Sequence, residues 1–297
     1  MDHHSIQHFE KDGHTIFCGN SLEVLAEKIP DSSVDLIFAD PPYNIGKRYA
    51  NFIDKWPSDT AYASWCEKWL EMCIRKLNDN GSMYVMTSTQ CMPYLDLFLR
   101  EKIAILGRIV WHYDSSGVQA KKKYGSLYEP ILFCVKDPKS YTFNVNDIKV
   151  EAKTGAKRQL IDYRKKVPTI YNTSKTPGNV WEYPRVRYKM PEYENHPTQK
   201  PEALLERIIK ASSNRGDVVL DPFSGTFTTS AVAKRLGRTS IGIDSELEYV
   251  KIGLRRLGIL NEFDGEELLP LEKKHVIRNG KYGRKKQEAH PQLFEDE

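Results

Sequence analysis

Val34-Asp35-Leu36-Ile37-Phe38-Ala39 is a nearly continuous apolar run that stops at Asp40-Pro41-Pro42. A strand that is apolar on both faces must be covered on both faces, as in a parallel sheet packed between helices. Proline cannot donate to the ladder, so the strand ends there. The same device returns at Val218-Val219-Leu220, halted by Asp221-Pro222, and a third strand, Ser240-Ile241-Gly242-Ile243, runs into Asp244. Around these strands the spacing predicts alternating helices and strands. His14–Cys18 reads as a strand and Ser21–Leu25 as a helix. Thr60–Leu77 reads as a helix, Ser82–Met86 as a strand and Met92–Leu99 as a helix. Strands follow at Ile103–Trp111 and Leu127–Val135. Later come helices at Pro201–Ser212, Thr229–Leu236 and Leu247–Leu257, the first with proline in its opening turn and Leu204, Leu205, Ile208 and Ile209 on one face. This alternation predicts an α/β, doubly wound, mostly parallel sheet.

Between about Asp137 and Tyr193 the period fails, and short β-like pieces alternate with Lys, Arg, Gly and Pro. We read four segments: 14–136 and 194–260 as two halves of one sheet domain, 137–193 as an insert outside the main sheet, and 261–297 as a charged, mobile tail. Charge follows the same division. Lys121 to Lys189 carries 16 Lys+Arg against 6 Asp+Glu, a local balance of +10, so the rest of this +4 chain carries −6. A basic middle on an acidic protein points to a polyanion partner, although basic stretches also serve simply as solvated surface.

The 297 residues are enough to bury a substantial core, and 40% hydrophobic with 28% charged residues excludes collagen, coiled coil and wholesale disorder. No run of about 18 apolar residues exists to span a membrane, and the polar N-terminus lacks the apolar segment of a signal peptide. Five scattered cysteines, Cys18, Cys66, Cys73, Cys91 and Cys134, form no CxxC pair. That predicts reduced thiols, a cytoplasmic setting and no zinc site. The eight histidines include no paired ligand set, so no metal is expected.

In open α/β sheets ligands bind beyond the carboxyl ends of the strands, where all three acidic residues fall. A lone Asp-Pro is most simply a strand-terminating turn; two of them with a third acidic strand end point to a site. Asp221 to Thr229 reads as strand, tight turn of small residues and helix, which brings backbone close to a nucleotide-like ligand. Asp244, 23 residues after Asp221, is placed to take both hydroxyls of a ribose. The glycine fingerprint of dinucleotide sites is absent, since Gly225 stands alone. A ribosylated ligand without phosphates suits the turn, and S-adenosylmethionine is the candidate. Asp40-Pro41-Pro42-Tyr43 supplies a second device. A carboxylate and a backbone carbonyl accepting the two N–H bonds of an exocyclic amine free its lone pair. Two prolines fix that carbonyl, and an aromatic ring one step later can stack on an extruded base.

Asp40-Pro41-Pro42-Tyr43 together with Asp221-Pro222-Phe223-Ser224-Gly225-Thr226 resembles the amino-methyltransferases of DNA bases. The order of blocks is similar to that of the family's β class, a circular permutation of its fold. Asn195 to Pro201 resembles the block that helps hold the methionine part of the cofactor. The match covers about residues 14–257, and the segments Phe38–Gly46, Asp114–Lys122, Tyr193–Leu205 and Asp221–Thr229 resemble bacterial adenine-specific members, a group associated with the palindrome ATGCAT. The resemblance implies S-adenosylmethionine as cofactor, no metal, and adenine N6 as target, because cytosine-N4 enzymes usually carry Ser at the position of Asp40. It implies that Asp40, Pro41, Pro42 and Tyr43 hold the base. It places Asp40, His196, Thr198, Lys200, Asp221, Phe223, Ser224, Gly225, Thr226 and Asp244 around the cofactor. The family often has Gly-Asp where this chain has Gly19-Asn20, so Asn20 brings an amide oxygen without charge to the cofactor's adenine. Relatives of this class are often dimers.

Within the basic middle, Lys121, Lys122, Lys123, Arg158, Arg164, Lys165, Arg185 and Arg187 are the expected contacts to duplex DNA. His196 reads as a turn residue that touches the cofactor rather than a base. Trp111-His112-Tyr113-Asp114 reads either as part of the base pocket or as a buried strand end. No covalent intermediate is expected, so no cysteine should be essential. Three rivals stay open: methylation of cytosine N4 or of RNA on the same scaffold, a DNA-binding protein without turnover, and a nicotinamide oxidoreductase.

Overall fold

The computed structural model describes residues 6–114, 121–122, 124–152 and 159–270. Its strands are β1 (Gln7–Lys11), β2 (His14–Cys18), β3 (Val34–Ala39), β4 (Leu77–Met86), β5 (Ala104–His112) and β6 (Tyr128–Val135). Then come β7 (Val150–Glu151), β8 (Ile161–Asp162), β9 (Thr169–Ile170), β10 (Ser174–Lys175), β11 (Val180–Glu182), β12 (Val218–Asp221), β13 (Thr239–Asp244), β14 (Glu262–Phe263) and β15 (Glu266–Glu267). The helices are α1 (Ser21–Glu27), α2 (Asp59–Lys76), α3 (Met92–Arg100), α4 (Glu202–Ser212), α5 (Thr228–Arg235) and α6 (Leu247–Arg256). A 3-10 turn covers Val145–Ile148.

The main sheet has the order β1-β2-β13-β12-β3-β4-β6-β5-β11. β2, β13, β12, β3 and β4 are parallel, β6 is antiparallel to both β4 and β5, and β11 is parallel to β5. The chain direction diverges between β12 and β3, since β12 leads outward to β13 and β3 leads the other way to β4. That divergence is the switch point at which such sheets open a crevice. The later strands β12 and β13 slot between β2 and β3, so the two sequence halves share one ladder.

The apolar runs are explained by cover on both faces. Ile37 and Ala39 of β3, with Met83 and Val85 of β4, pack under α1, α2 and α3. Leu36 and Phe38, with Tyr84 and Met86, face α4 and α5. Ile16, Phe227, Val250, Leu254 and Leu268 form a third cluster around α6.

Four sequence expectations are corrected, the first being the mobile tail from 261, whose opening residues pair as β14 with β15 and bury Leu268 in the third cluster. β1 was not foreseen: all its residues but Phe9 are polar, because it is an exposed edge strand. Its signal is the Asp12-Gly13 turn, with φ of 53° and 78°, the geometry of a tight hairpin. β4 begins at Leu77 rather than Ser82, because pairing with β3 at Val34↔Leu77 extends it through a register shift. The insert is not wholly outside the sheet: Val180–Glu182 adds β11 beside Val110–His112, with Trp181 buried between the Arg207 guanidinium and the core. The remaining insert strands form two small ladders, β10 with β7 and β8 with β9.

Candidate active site

Asp40, Asp221 and Asp244 end three adjacent strands, and all three line one cleft. The other walls are Phe223 to Thr226 from the β12–α5 turn, His196 to Lys200, and the rings of Tyr49, Phe52 and Tyr249.

The β12–α5 turn is rigid by construction. Ser224 donates its hydroxyl to the Asp221 carbonyl (2.9 Å) and accepts from the Ile243 amide (3.1 Å), while its own amide bonds the Ile243 carbonyl (2.9 Å). Both hydroxyl capacities are therefore spent on stitching the turn to β13. Phe227 takes a left-handed conformation (φ 56°) that costs a non-glycine residue about 1–2 kcal/mol. Its fully buried ring lies against Gly242 and Gly253, where a Cβ would come within 2.7 and 2.6 Å of it. Gly225, also left-handed (φ 51°), lets the turn approach the His196 ring. Arg256 reaches the Thr226 carbonyl (2.9 Å) and Glu202 (2.7 Å), anchoring the far side.

The two cofactor-side carboxylates have neutral partners. Asp221 accepts from Phe223 N (3.0 Å) and Thr229 Oγ1 (2.5 Å); Asp244 accepts from Gly225 N and Glu246 N (both 2.8 Å). With no ammonium or guanidinium bonded to them, burial pushes both up to about 7. His196 is pushed down to about 3 by burial and by the Lys200 and Lys47 charges, so it stays neutral. Its Nδ1 accepts from the Thr198 amide (3.2 Å) and its ring meets Tyr249 edge-on at 4.5 Å. This agrees with a turn residue that touches the cleft.

Asp40 is different. Its Oδ2 contacts the buried Lys200 ammonium at 2.5 Å, and its Oδ1 accepts from the Tyr43 hydroxyl at 2.6 Å. Burial raises its pKa, Lys200 opposes the rise, and Glu129 adds to it. The Tyr43 hydroxyl also lies 2.9 Å from Glu129 Oε2, and the Lys200 ammonium sits 5.4 Å from the Tyr43 ring centre. Tyr62 donates to the Pro42 carbonyl (2.7 Å), which fixes the Pro-Pro segment while leaving the Pro41 carbonyl to another partner. Asp54 accepts from the Tyr43 amide (3.1 Å) and the Lys47 amide, holding the following loop.

Asn20 lines a second opening that shares Ser21, Pro42, Phe52, Phe223 and Ser245 with this cleft. Its amide oxygen accepts from Leu22 N (2.9 Å) as the N-cap of α1, so its N–H donors, not the oxygen, remain to offer a ligand. Trp111 and Tyr113 are buried strand-end residues: Trp111 Nε1 donates to the Tyr183 carbonyl, and the Tyr113 hydroxyl to Glu129. Arg164 is held by Asp162 in a two-pronged pair (2.8 and 3.0 Å), which pulls the Asp162 carboxyl down to about 2. Lys165 bonds Thr169 (2.8 Å). Arg185 lies 5.0 Å over the Tyr113 ring, and Arg187 donates to the Asp114 carbonyl. Lys121 and Lys122 are exposed, while Lys123, Arg158 and most of the tail, 271–297, lie outside the described residues.

Sequence reasoning missed Glu129, Tyr49, Phe52 and Tyr249. Tyr249 lies five residues past Asp244, one turn into α6, where a ring can reach back over the cleft. Glu129 sits in β6, two positions before a solid apolar run, and a charge there is a legible oddity. Tyr49 and Phe52, stacked at 4.9 Å, carry no signal beyond being aromatic in a loop. Among the described residues no group of His, Cys, Asp or Glu is arranged to hold a metal, and no helix is long and apolar enough to cross a membrane.

Known proteins place this geometry. The DNA methylase family model (N6_N4_Mtase) matches residues 34–255. DNA adenine methyltransferase YhdJ of Escherichia coli (strain K12) is 58% identical over 266 residues, 90% of each chain. Type II methyltransferase M.HpaI of Haemophilus parainfluenzae is 36% identical over 84% of this chain and 75% of its own. Among solved structures, the PvuII cytosine-N4-specific DNA methyltransferase superposes with a TM-score of 0.64 at 17% identity, over 91% of this chain and 92% of its own. The M1.HpyAVI–SAM complex does so with 0.55 at 25% identity, over 82% and 98%. Three acidic strand ends around one cleft, an Asp-Pro-Pro-Tyr block and these matches have one reading: the chain belongs to the N6/N4 DNA methylase family.

Proposed function

We propose that this protein transfers a methyl group from S-adenosylmethionine to the N6 amine of an adenine in duplex DNA. The observation that carries the reading is that Asp40, heading the Asp-Pro-Pro-Tyr block, opens into the same cleft as Asp221 and Asp244. That cleft holds three carboxylates, Asp221 buried and Asp40 and Asp244 partly buried, against one buried ammonium, Lys200. S-adenosylmethionine, whose ammonium and sulfonium outweigh its one carboxylate by a single positive charge, offsets part of that excess, and the rings of Tyr49, Phe52, Phe223 and Tyr249 suit its adenine. The cofactor therefore fits, with Asp244 at the ribose hydroxyls and Asp221 to Thr226 along the methionine part. When bound, it supplies an electrophilic methyl group.

The chain's own residues do the rest. Asp40 accepts one N–H of the target amine and the Pro41 carbonyl the other, which orients the nitrogen and localises its lone pair. One amine proton must leave, and Asp40, with its proton affinity raised by burial, is placed to take it. Such an amine is out of reach inside a duplex, so the adenine is flipped outward. Arg185, Arg187, Lys121 and Lys122 hold the phosphates nearby. The identity to YhdJ over nine tenths of the chain supports adenine over cytosine.

The test is transfer from labelled S-adenosylmethionine to unmethylated genomic DNA with nucleoside analysis, wild type beside Asp40→Ala. N6-methyladenine is expected from the wild type and none from the variant; methylated cytosine, or a fully active variant, overturns the reading. A duplex carrying ATGCAT, beside one with the palindrome scrambled, tests the recognition sequence.

A further inference from the structure

Each Asp40 oxygen already carries one short donor that competes with an incoming amine N–H, Oδ1 the Tyr43 hydroxyl and Oδ2 the Lys200 ammonium. Both of these donors already reach a second carboxylate. Glu129 Oε2 lies 2.9 Å from the Tyr43 hydroxyl and 3.6 Å from Lys200 Nζ, and Oε1 takes the Tyr113 hydroxyl at 3.3 Å. A phenol has one proton, so Tyr43 cannot donate to Asp40 and Glu129 together. Lys200 needs to move only about the difference between 2.5 and 3.6 Å to change its main partner. Glu129 comes from β6, a strand that carries no part of either sequence block, and its side chain is 15% exposed. A carboxylate there costs desolvation, which a purely structural role would not require.

We propose that Glu129 is a positioning residue that receives the Tyr43 hydroxyl and the Lys200 ammonium when the target base arrives, so that Asp40 is released to accept the base amine. The proposal rests on the reading of Asp40 as amine acceptor. It involves no covalent step, only a change of hydrogen-bond partner for two donors that stay within the site. It also gives Tyr43 a second task beside stacking: its hydroxyl reports to Asp40 in the empty site and to Glu129 in the filled one.

The experiment measures single-turnover methyl transfer at saturating S-adenosylmethionine and duplex DNA for wild type, Glu129→Gln, Tyr43→Phe, the double variant and Asp40→Ala. Glu129→Gln is expected to slow transfer roughly 10- to 100-fold, the range of one charge-assisted hydrogen bond. In the Tyr43→Phe background the same change is expected to cost distinctly less, because the hydroxyl it would receive is gone. A structural role would instead lower the melting temperature and add independently to Tyr43→Phe. Glu129→Gln at the wild-type rate, or fully additive losses, overturns the proposal. If Glu129→Gln fails to fold, Glu129→Asp, which keeps the charge but withdraws it from both donors, carries the test, and its transfer at the wild-type rate overturns the proposal. Asp40→Ala separates the two readings: an inactive Asp40→Ala with a normal Glu129→Gln sinks only the role of Glu129. An active Asp40→Ala sinks both.

Discussion

Asp244→Asn is expected to change how cofactor affinity depends on pH. In the free protein Asp221 and Asp244 are both held up to about 7 by burial, with only neutral hydrogen-bond donors around them. A cationic ligand favours their ionised forms, so binding must expel whatever protons they carry. For each such group the apparent Kd is multiplied by one plus the ratio of protonated to ionised carboxyl, about 11 at pH ~6 and about 2 at pH ~7. Two groups together predict a Kd weaker by about 30-fold at the lower pH, and one group alone by about fivefold. Asp40, which burial also raises while the Lys200 ammonium opposes the rise, is common to both proteins, so the loss from wild type to Asp244→Asn isolates Asp244. His196 is neutral throughout, with its pKa near 3, and Tyr49 is held up at about 12. The ligand's own amine titrates at roughly 7.7–8.0, which is why pH ~7 is the upper limit. Isothermal titration calorimetry in two buffers of different ionisation enthalpy reads both quantities. Wild type should release about 1.8 protons at pH ~6 and Asp244→Asn about 0.9. Folding stability of the ligand-free protein runs the opposite way. A carboxyl raised in the folded state binds protons more tightly there, so its contribution is lost as pH rises from the ordinary Asp range towards 7. Equal Kd values at the two pH values, no proton release, or an Asp244→Asn variant that keeps the 30-fold dependence would each refute the electrostatic account of the cleft.

Replacing Cys134 or Cys66 by Ala should leave the methyl-transfer rate unchanged and cost about 1 kcal/mol of stability in urea unfolding. Both thiols are pushed up to about 12 by burial and are unsuited to nucleophilic work; loss of turnover with the fold intact would contradict this. Gly253→Ala places a Cβ 2.6 Å from the Phe227 ring and 2.9 Å from Ile16, and is expected to cost about 1–3 kcal/mol by overpacking. An unchanged urea midpoint would show that the ring can retreat. Arg185→Ala and Arg187→Ala should each flatten the slope of log affinity for DNA against log salt by about 0.9. Arg164→Ala should flatten it less, because its guanidinium is already held by Asp162; an equal effect would count against that ordering.

The sequence by itself determined the layer architecture and the place of the chemistry. A strand apolar on both faces has one stable environment, and proline fixes where two such strands end, so Asp40 and Asp221 were legible as strand-end carboxylates, as was Asp244 at the close of the run Ser240–Ile243. The exposed β1 was hidden because edge strands need no apolar pattern, and β11 because three residues are too few for a period. Tertiary structure alone decided what each carboxylate faces. Asp221 and Asp244 see only neutral donors, whereas Asp40 is matched with Lys200, 160 positions away in the chain and 2.5 Å away in space. It also brought Glu129 from β6 and the Tyr49–Phe52 stack from a loop to the same cleft. Hydrophobic periodicity is a property of neighbours in sequence and can be read there. Charge pairing and desolvation depend on neighbours in space, and only the closed sheet assembles them.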